Sequence, residues 1–229
     1  AGLGAASLQG VPVAVQFSVE VGLMVGLSLL LFRRLFDAHA RDLHLLVLVG
    51  IVIGVLFRSL STFAARLLDP NEFLVLQDRL FASFGGVDRT LLAVSVVTIV
   101  AVSAALWRLR SRFDVLALGR DTAVNLGLDH RRSVLAVLVA VAVLVSVSTA
   151  LVGPITFLGL LVANLAYRFV GTDRHAVTLP AAVLLSVTCL VGGQAVLQHG
   201  FGLDTTLSVI VEFLGGLVFL VLLMRRVRR

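Results

Sequence analysis

The sequence predicts an all-α, polytopic transmembrane helical bundle, and three observations carry that prediction. Apolar residues make up 59% of the chain and charged residues 14%, with a mean hydropathy of +1.07; soluble domains sit near about 45–50% and about 25%. The apolar residues gather into seven runs, most of them close to the roughly 20 residues that cross about 30 Å of hydrocarbon. All 19 basic residues are arginine, and most fall in the short links between alternate runs, where they act as a topology signal.

The first run covers about residues 11–32 and contains Glu20; Arg33, Arg34 and Arg41 follow in a short link. The second covers about 43–63 and contains Arg58. The longest polar interval, 66–89, holds Asp69-Pro70-Asn71-Glu72 and Gly85-Gly86, with a half-apolar centre at 73–81 expected to lie along the interface as an amphipathic helix. The third run, about 90–107, ends in Arg108, Arg110 and Arg112, and the fourth covers 134–152. The fifth, 155–167, is too short to cross alone unless its broken start contributes. A tight link at 168–175 has Gly171 as its helix stop. The sixth run covers 176–197 and the seventh 206–224, before the tail Arg225-Arg226-Val227-Arg228-Arg229.

Alternation through seven spans puts the links 33–41, 108–132, 168–174 and 225–229 on one face, the cytoplasmic one by the positive-inside rule. Those links hold 15 of the 19 arginines. Arg66, Arg79 and Arg89 remain opposite, balanced by Asp69, Glu72, Asp78 and Asp88. The net charge of +6 is therefore a matter of membrane topology, not of nucleic-acid binding. No repeat or linker divides the chain, so residues 1–229 read as a single transmembrane domain. The first run has no charged segment before it and no cleavage site after it, unlike a signal peptide. The chain is expected to be cut from the middle of a longer protein.

The inventory of reactive groups is thin. There is no lysine and so no phosphate-binding Lys loop. Cys189 stands alone inside an apolar run. His39, His44, His130, His175 and His199 are scattered without metal-ligand spacing, and those in links are expected to be solvated. Neither covalent catalysis nor a metal or cofactor site is expected.

Two stretches stand out. In 113–132, helix-forming residues broken by Gly119 and Gly127 predict two short surface helices. Leu116, Leu118, Val124, Leu126 and Leu128, set among charges, favour a docking surface over a solvated connector. The other is Gly153-Pro154-Ile155-Thr156-Phe157-Leu158-Gly159-Leu160, where glycine and proline break one helix before another starts.

Leu-Ala-Leu-Gly-Arg-Asp-Thr-Ala-Val-Asn-Leu-Gly-Leu at 116–128, a span, the Gly153–Leu160 element, and then Gly171-Thr172-Asp173-Arg174-His175 together resemble the FecCD family, over essentially all of 11–229. That family comprises the permeases of binding-protein-dependent ABC importers for iron–siderophores, haem and cobalamin. The stretch 69–84 resembles the branch serving catecholate siderophores. The resemblance implies ten transmembrane helices, of which these seven are the fourth to tenth, in a bacterial cytoplasmic membrane with the C-terminus inside. Implied partners are a second permease subunit (identical or not), two cytoplasmic ATPase subunits and an extracytoplasmic binding protein. The permease itself would hold no nucleotide.

By the same resemblance, Leu116, Leu118, Gly119, Arg120, Ala123, Asn125, Leu126 and Gly127 belong to the ATPase-coupling segment. Gly153, Pro154, Ile155, Phe157, Gly159, Leu160 and Asn164 flank the translocation path. Arg66, Arg79 and Arg89 could meet acidic residues of a binding protein or pair locally with Asp69, Asp78 or Asp88. Three stretches depart from the family pattern: Ala163-Asn164 replaces a common Pro-His, Gly192-Gly193-Gln194 lacks a common arginine, and Asp204-Thr205-Thr206-Leu207-Ser208 stands where Glu-Leu-Pro-Val-Gly is common. They bear on the substrate branch more than on the family.

Charges within a membrane are costly and default to function. Counting 1.5 Å per residue, Glu20 and Glu212 lie roughly 10 Å below the external face and Arg58 at similar depth. Arg58 is expected to face Glu20 or Glu212, as a structural ion pair or as part of a polar lining for an anionic chelate. Gly50, Gly54, Gly192, Gly193, Gly215 and Gly216 are expected at close helix contacts. An ion-coupled secondary transporter is the rival class; it would show paired broken helices and midplane carboxylates, whereas one break is clear here.

Overall fold

A computed structural model describes residues 13–39, 43–69, 73, 87–196, 215, 216 and 224. The described chain is helical throughout its regular structure: α1 (Val13–His39), α2 (Leu43–Ala65), α3 (Arg89–Arg108), α4 (Arg110–Ala117), α5 (Arg120–Asn125), α6 (His130–Val152), α7 (Leu158–Val170) and α8 (His175–Val196). Five of these, α1, α2, α3, α6 and α8, are long and apolar enough to cross a membrane. They match five of the expected seven spans. The amphipathic helix expected at 73–81 and the seventh span lie outside the described residues, apart from Phe73, Gly215, Gly216 and Met224.

Several helix ends differ from expectation, each for a local reason. α1 continues through Arg33 and Arg34 to His39, since nothing from Arg33 to His39 is a glycine or proline and the Leu35-Phe36 pair keeps the helix pattern. α6 starts at His130 because Asp129 caps it, accepting from the Arg132 N–H at 3.0 Å. Arg132 also reaches the Asp129 carboxylate at 3.1 Å, an exposed pair of little energetic weight. α3 starts at Arg89 because the Asp88 carboxylate accepts from the N–H groups of Thr90 (2.7 Å) and Leu91 (3.2 Å). Those two backbone bonds, Leu91 first, hold the Asp88 pKa below its ordinary value.

The bundle is organised around α6, which packs against both α1 and α3, while α7 packs along α8. Apart from Phe17 on α1, the buried residues at these contacts are small or aliphatic: Ser95 on α3, Ser133, Ala142, Ser146 and Val147 on α6, Val162 and Ala166 on α7. Small side chains let helix backbones approach closely where lipid tails compete for every apolar contact. Of the glycines expected in that role, Gly215 fills it within this chain, whereas Gly50, Gly54, Gly192 and Gly216 do not. A Cβ added at Gly50, Gly54, Gly192 or Gly216 would meet nothing within 4 Å, whereas one at Gly215 would lie 3.0 Å from the Phe157 Cβ. Alanine and serine make the other close contacts.

Candidate functional site

The region following α3 folds as the sequence expects, with a sharper outline. A single residue, Leu109 (φ −92°, ψ 1°), separates α3 from α4. The guanidinium of Arg110 sits 4.7 Å over the Trp107 ring and donates to the Trp107 carbonyl at 3.3 Å. α4 ends at Ala117, Gly119 turns the chain (φ 93°, ψ 165°), and α5 follows for one and a half turns. Gly127 (φ 80°) makes the second turn. Both glycines occupy backbone that an L side chain rarely adopts.

Within this hairpin of short helices the predicted residues divide by burial. Ala123 is fully buried and anchors α5, while Leu118 (60%), Val124 (53%) and Leu126 (62%) stay largely exposed. Gly119, Arg120, Asn125 and Gly127 are exposed as well, and Leu116 is half-buried. Three large apolar side chains held out of the protein on a rigid, turn-limited frame form a surface suited to a partner.

The contact that joins this frame to the start of α8 was not expected. Asp114 on α4 accepts from the backbone N–H of His175 at 2.9 Å, and the same oxygen, Oδ1, lies 2.7 Å from the His175 ring Nδ1. The Phe113 ring packs edge-on against the imidazole at 5.7 Å between centroids. His175 is thus held, not solvated as its place in a link implied. Asp114 bonds the first residue of α8, where helix N–H groups lack internal partners. The His175 backbone bond, then its ring bond, keep the Asp114 carboxyl below its ordinary pKa. The clue available in the sequence was the position of His175, immediately before an apolar run, with an aspartate at an interior turn of α4. His130, at the start of α6, keeps its buried Nδ1 without a partner among the described residues.

α7 ends in Gly171 (φ 64°), as expected, and its N–H bonds the Tyr167 carbonyl at 3.0 Å. The link to α8 is tied down by the buried Thr178, whose Oγ1 donates to the carbonyls of Thr172 (3.1 Å) and Arg174 (3.0 Å). The links 108–132 and 168–174 therefore lie on one face of the bundle, as their arginines imply.

The break lies at the far end of α6. That helix has 23 residues, about 34 Å at 1.5 Å per residue. α7 returns with only 13, about 20 Å. The non-helical residues Gly153 to Phe157 make up the difference, since about four extended residues span roughly 14 Å. α7 starts three residues later than expected because Phe157 is left-handed (φ 62°, ψ −27°). Non-glycine residues pay for that conformation with roughly 1–2 kcal/mol. Gly153 (φ 104°) makes the first bend. Pro154, Phe157, Gly159, Leu160 and Asn164 are exposed and Ile155 half-buried. The Asn164 side-chain amide donates to the Leu160 carbonyl at 2.8 Å.

Residues 2–225 match the FecCD transport family. The chain belongs to the FecCD transport family. Among the relatives of this FecCD chain, the petrobactin import system permease protein YclO of Bacillus subtilis is 47% identical over 92% of this chain and 67% of its own length. The petrobactin import system permease protein FatC of Bacillus anthracis is 37% identical over 92% and 59%, and the ferric enterobactin permease FepD of Escherichia coli 32% over 80% and 54%. A solved metal-chelate type ABC transporter in an inward-facing conformation shares the fold, with a TM-score of 0.77 at 24% identity over 88% of this chain and 63% of that one. The chain spans roughly half to two thirds of the length of these proteins.

The intramembrane charges are placed differently from one another. Glu20 on α1 accepts from Gln16 at 3.4 Å, and α1 touches α2 only slightly. Among the described residues no carboxylate lies within 4.0 Å of Arg58, so the expected Glu20–Arg58 pair is not formed; Glu212 is outside the described residues. Arg58 instead shares one face of α2 with Ser59, Thr62 and Arg66, spaced as a helix stripe. Arg66 and Arg89 are likewise without a carboxylate within 4.0 Å among the described residues, and Asp88 is committed to its cap. Arg79 lies outside the described residues.

Proposed function

We propose that this chain is the membrane-spanning permease portion of an ABC importer that moves a ferric siderophore of the catecholate class across the bacterial cytoplasmic membrane. The observation that carries the reading is the α4–α5 frame. Leu118, Val124 and Leu126 stand exposed between two glycine turns, on the face that also gathers the arginine-rich links. In this reading the frame docks into a cytoplasmic ATPase, with Leu116, Gly119, Arg120, Ala123, Asn125 and Gly127 shaping it, and the C-terminus lies on the same side. Petrobactin and enterobactin permeases among the relatives support the siderophore class.

The permease would act as half of a dimer with an identical or related subunit, carrying two ATPases and an external binding protein. The broken segment Gly153–Leu160, with Asn164, flanks the path; Arg58, Ser59, Thr62 and Arg66 supply a cationic and hydroxylic stripe suited to an anionic chelate, with Glu20 and Glu212 at similar depth. Arg66, Arg79 and Arg89 offer positive charge to the acidic lobes of a binding protein. Hydrolysis belongs to the ATPase, and the permease only changes shape.

The test is uptake of radio-iron-loaded petrobactin by proteoliposomes holding the full-length permease, its ATPase and its binding protein, with labelled cobalamin as the competing cargo. ATP-dependent petrobactin uptake that Gly119→Trp abolishes, along with ATPase co-purification, supports the reading. Uptake that survives without the ATPase but stops when the ion gradient collapses refutes it, and cobalamin uptake alone refutes the siderophore assignment.

A further inference from the structure

We infer that Asp114 is a positioning residue that makes the ATPase-docking frame and the α7–α8 hairpin move as one body; this rests on the permease reading above. One carboxylate oxygen takes both hydrogen bonds from His175, at 2.9 Å and 2.7 Å, across 61 residues of sequence. Bonds to a charged acceptor are stronger than neutral ones, and this pair is partly shielded: the His175 side chain is 21% exposed and that of Asp114 39%, with the Phe113 ring alongside. The carboxylate also sits at the positive end of α8, where its charge is favoured.

What lies behind His175 is stiff. Val177 and Thr178 N–H groups both bond the Arg174 carbonyl, and Thr178 Oγ1 ties the link to α8 from inside. Gly171 closes α7 directly onto that link, and α7 packs along α8. At its other end α7 begins at the left-handed Phe157, against which Gly215 is packed. A displacement of α4 therefore reaches the break in the membrane through Asp114, the link 171–174 and α7. A covalent route also exists through α5 and α6, but it passes Gly119 and Gly127, two positions where the chain turns without side-chain support. Asp114 bypasses both.

The residue is distinguished from a mere tether by the ratio of iron taken up to ATP hydrolysed, measured in the same petrobactin-loaded proteoliposomes. Asp114→Ala is expected to keep ATPase binding and hydrolysis within about twofold while uptake per ATP falls about tenfold, equivalent to about 1.4 kcal/mol of lost coupling. Asp114→Asn keeps an acceptor oxygen in place and should recover most of that loss. Uptake per ATP unchanged in Asp114→Ala overturns the inference, as does loss of ATPase binding in step with uptake, which would make Asp114 only a builder of the docking surface. Should Asp114→Ala fail to insert, His175→Ala retains the backbone bond and removes the ring bond. A measurable fall in uptake per ATP supports the inference, and a wild-type ratio overturns it. Absence of ATP-driven uptake in the wild type would take down the permease reading itself, and the inference with it.

Discussion

Replacing Gly119 by alanine tests the docking frame with the smallest possible change. At φ 93° and ψ 165°, Gly119 occupies a region open essentially to glycine alone, and a side chain forced there costs on the order of 1–3 kcal/mol. A Cβ at this site would meet nothing within 4 Å, so the cost is entirely conformational and no clash contributes. The strain can be relieved only by rotating the turn, which re-aims α5 and with it Val124 and Leu126. If ATPase binding needs the turn as it stands, affinity should fall by the same free energy, about 5- to 150-fold. The assay is titration of the ATPase onto immobilised, detergent-solubilised full-length permease. Asparagine sharpens it. Gly171 lies in the true left-handed region (φ 64°, ψ 18°), which asparagine tolerates, so Gly171→Asn should bind the ATPase normally. Gly119→Asn should be as poor as Gly119→Ala, because its ψ lies outside that region. Wild-type affinity in Gly119→Ala would refute the reasoning, and so would rescue by asparagine at 119.

Two further outcomes follow from local geometry. Gly215→Ala would place a Cβ 3.0 Å from the Phe157 Cβ, inside the usual carbon–carbon separation of about 3.5–4.0 Å; overpacking of this kind costs roughly 1–3 kcal/mol. It should lower the Tm of the solubilised protein, and Phe157→Gly, which removes the opposing Cβ and accepts the positive φ, should restore it in the double variant. The Asp88 cap gives a pH dependence of defined sign. Its folded pKa lies below the ordinary 3.8 because Leu91 and Thr90 N–H groups favour the anion, so its stabilisation is present above the unfolded pKa and lost as pH falls through the folded one. Hydrogen-exchange protection at the first turn of α3, taken relative to the intrinsic exchange rate at each pH, should hold steady from neutral pH down to about 4 and fall beneath it. Asp88→Asn should flatten that acid limb.

Much of the fold was legible because each signal was local. Apolar run length identified the five long spans, arginine placement put 108–132 and 168–174 on a common face, and Gly119, Gly127, Gly153 and Gly171 marked turns that the backbone makes at positive φ. What could not be read was anything decided between distant helices. Asp114 and His175 are 61 residues apart, and no periodicity says which link histidine meets which carboxylate. The Arg58–Glu20 pairing failed for the complementary reason. Depth can be counted from residue rise, but azimuth depends on which helices pack, and α1 gives its buried face to α6. Glycine spacing misled similarly at Gly50, Gly54, Gly192 and Gly216, since a small residue permits close approach without supplying a neighbour. The left-handed Phe157 was invisible because an aromatic residue is a poor choice for that conformation, and its close approach to Gly215 joins stretches about 58 residues apart.

The exposed surface of α2 bears on what the assembled protein must look like. Val52, Val55, Leu56 and Leu60 are exposed, and lipid can cover them at no cost. Arg58 is different. It stands sixteen residues into the 23-residue α2, and an arginine near the centre of a spanning helix costs at least about 2.5–3.5 kcal/mol when it faces lipid. Snorkelling toward one face lowers the penalty, but Ser59 and Thr62 flank Arg58 and extend the polar face toward Arg66, one to two turns further along. A lipid-facing helix gains nothing from extending polarity along one stripe. A helix lining a water-filled path gains hydration for all four side chains, and an anionic cargo passing it meets two guanidinium groups unopposed by any described carboxylate. On that account Arg58→Glu should insert normally yet reduce uptake of the anionic chelate by an order of magnitude or more: about 1.4 kcal/mol is tenfold, and two unit charges about 4 Å apart interact by about 4 kcal/mol at the effective dielectric of a hydrated protein surface. Arg58→Gln should be milder than Arg58→Glu if charge is what the cargo meets, and equal to it if Arg58 serves only to hold the helix in place.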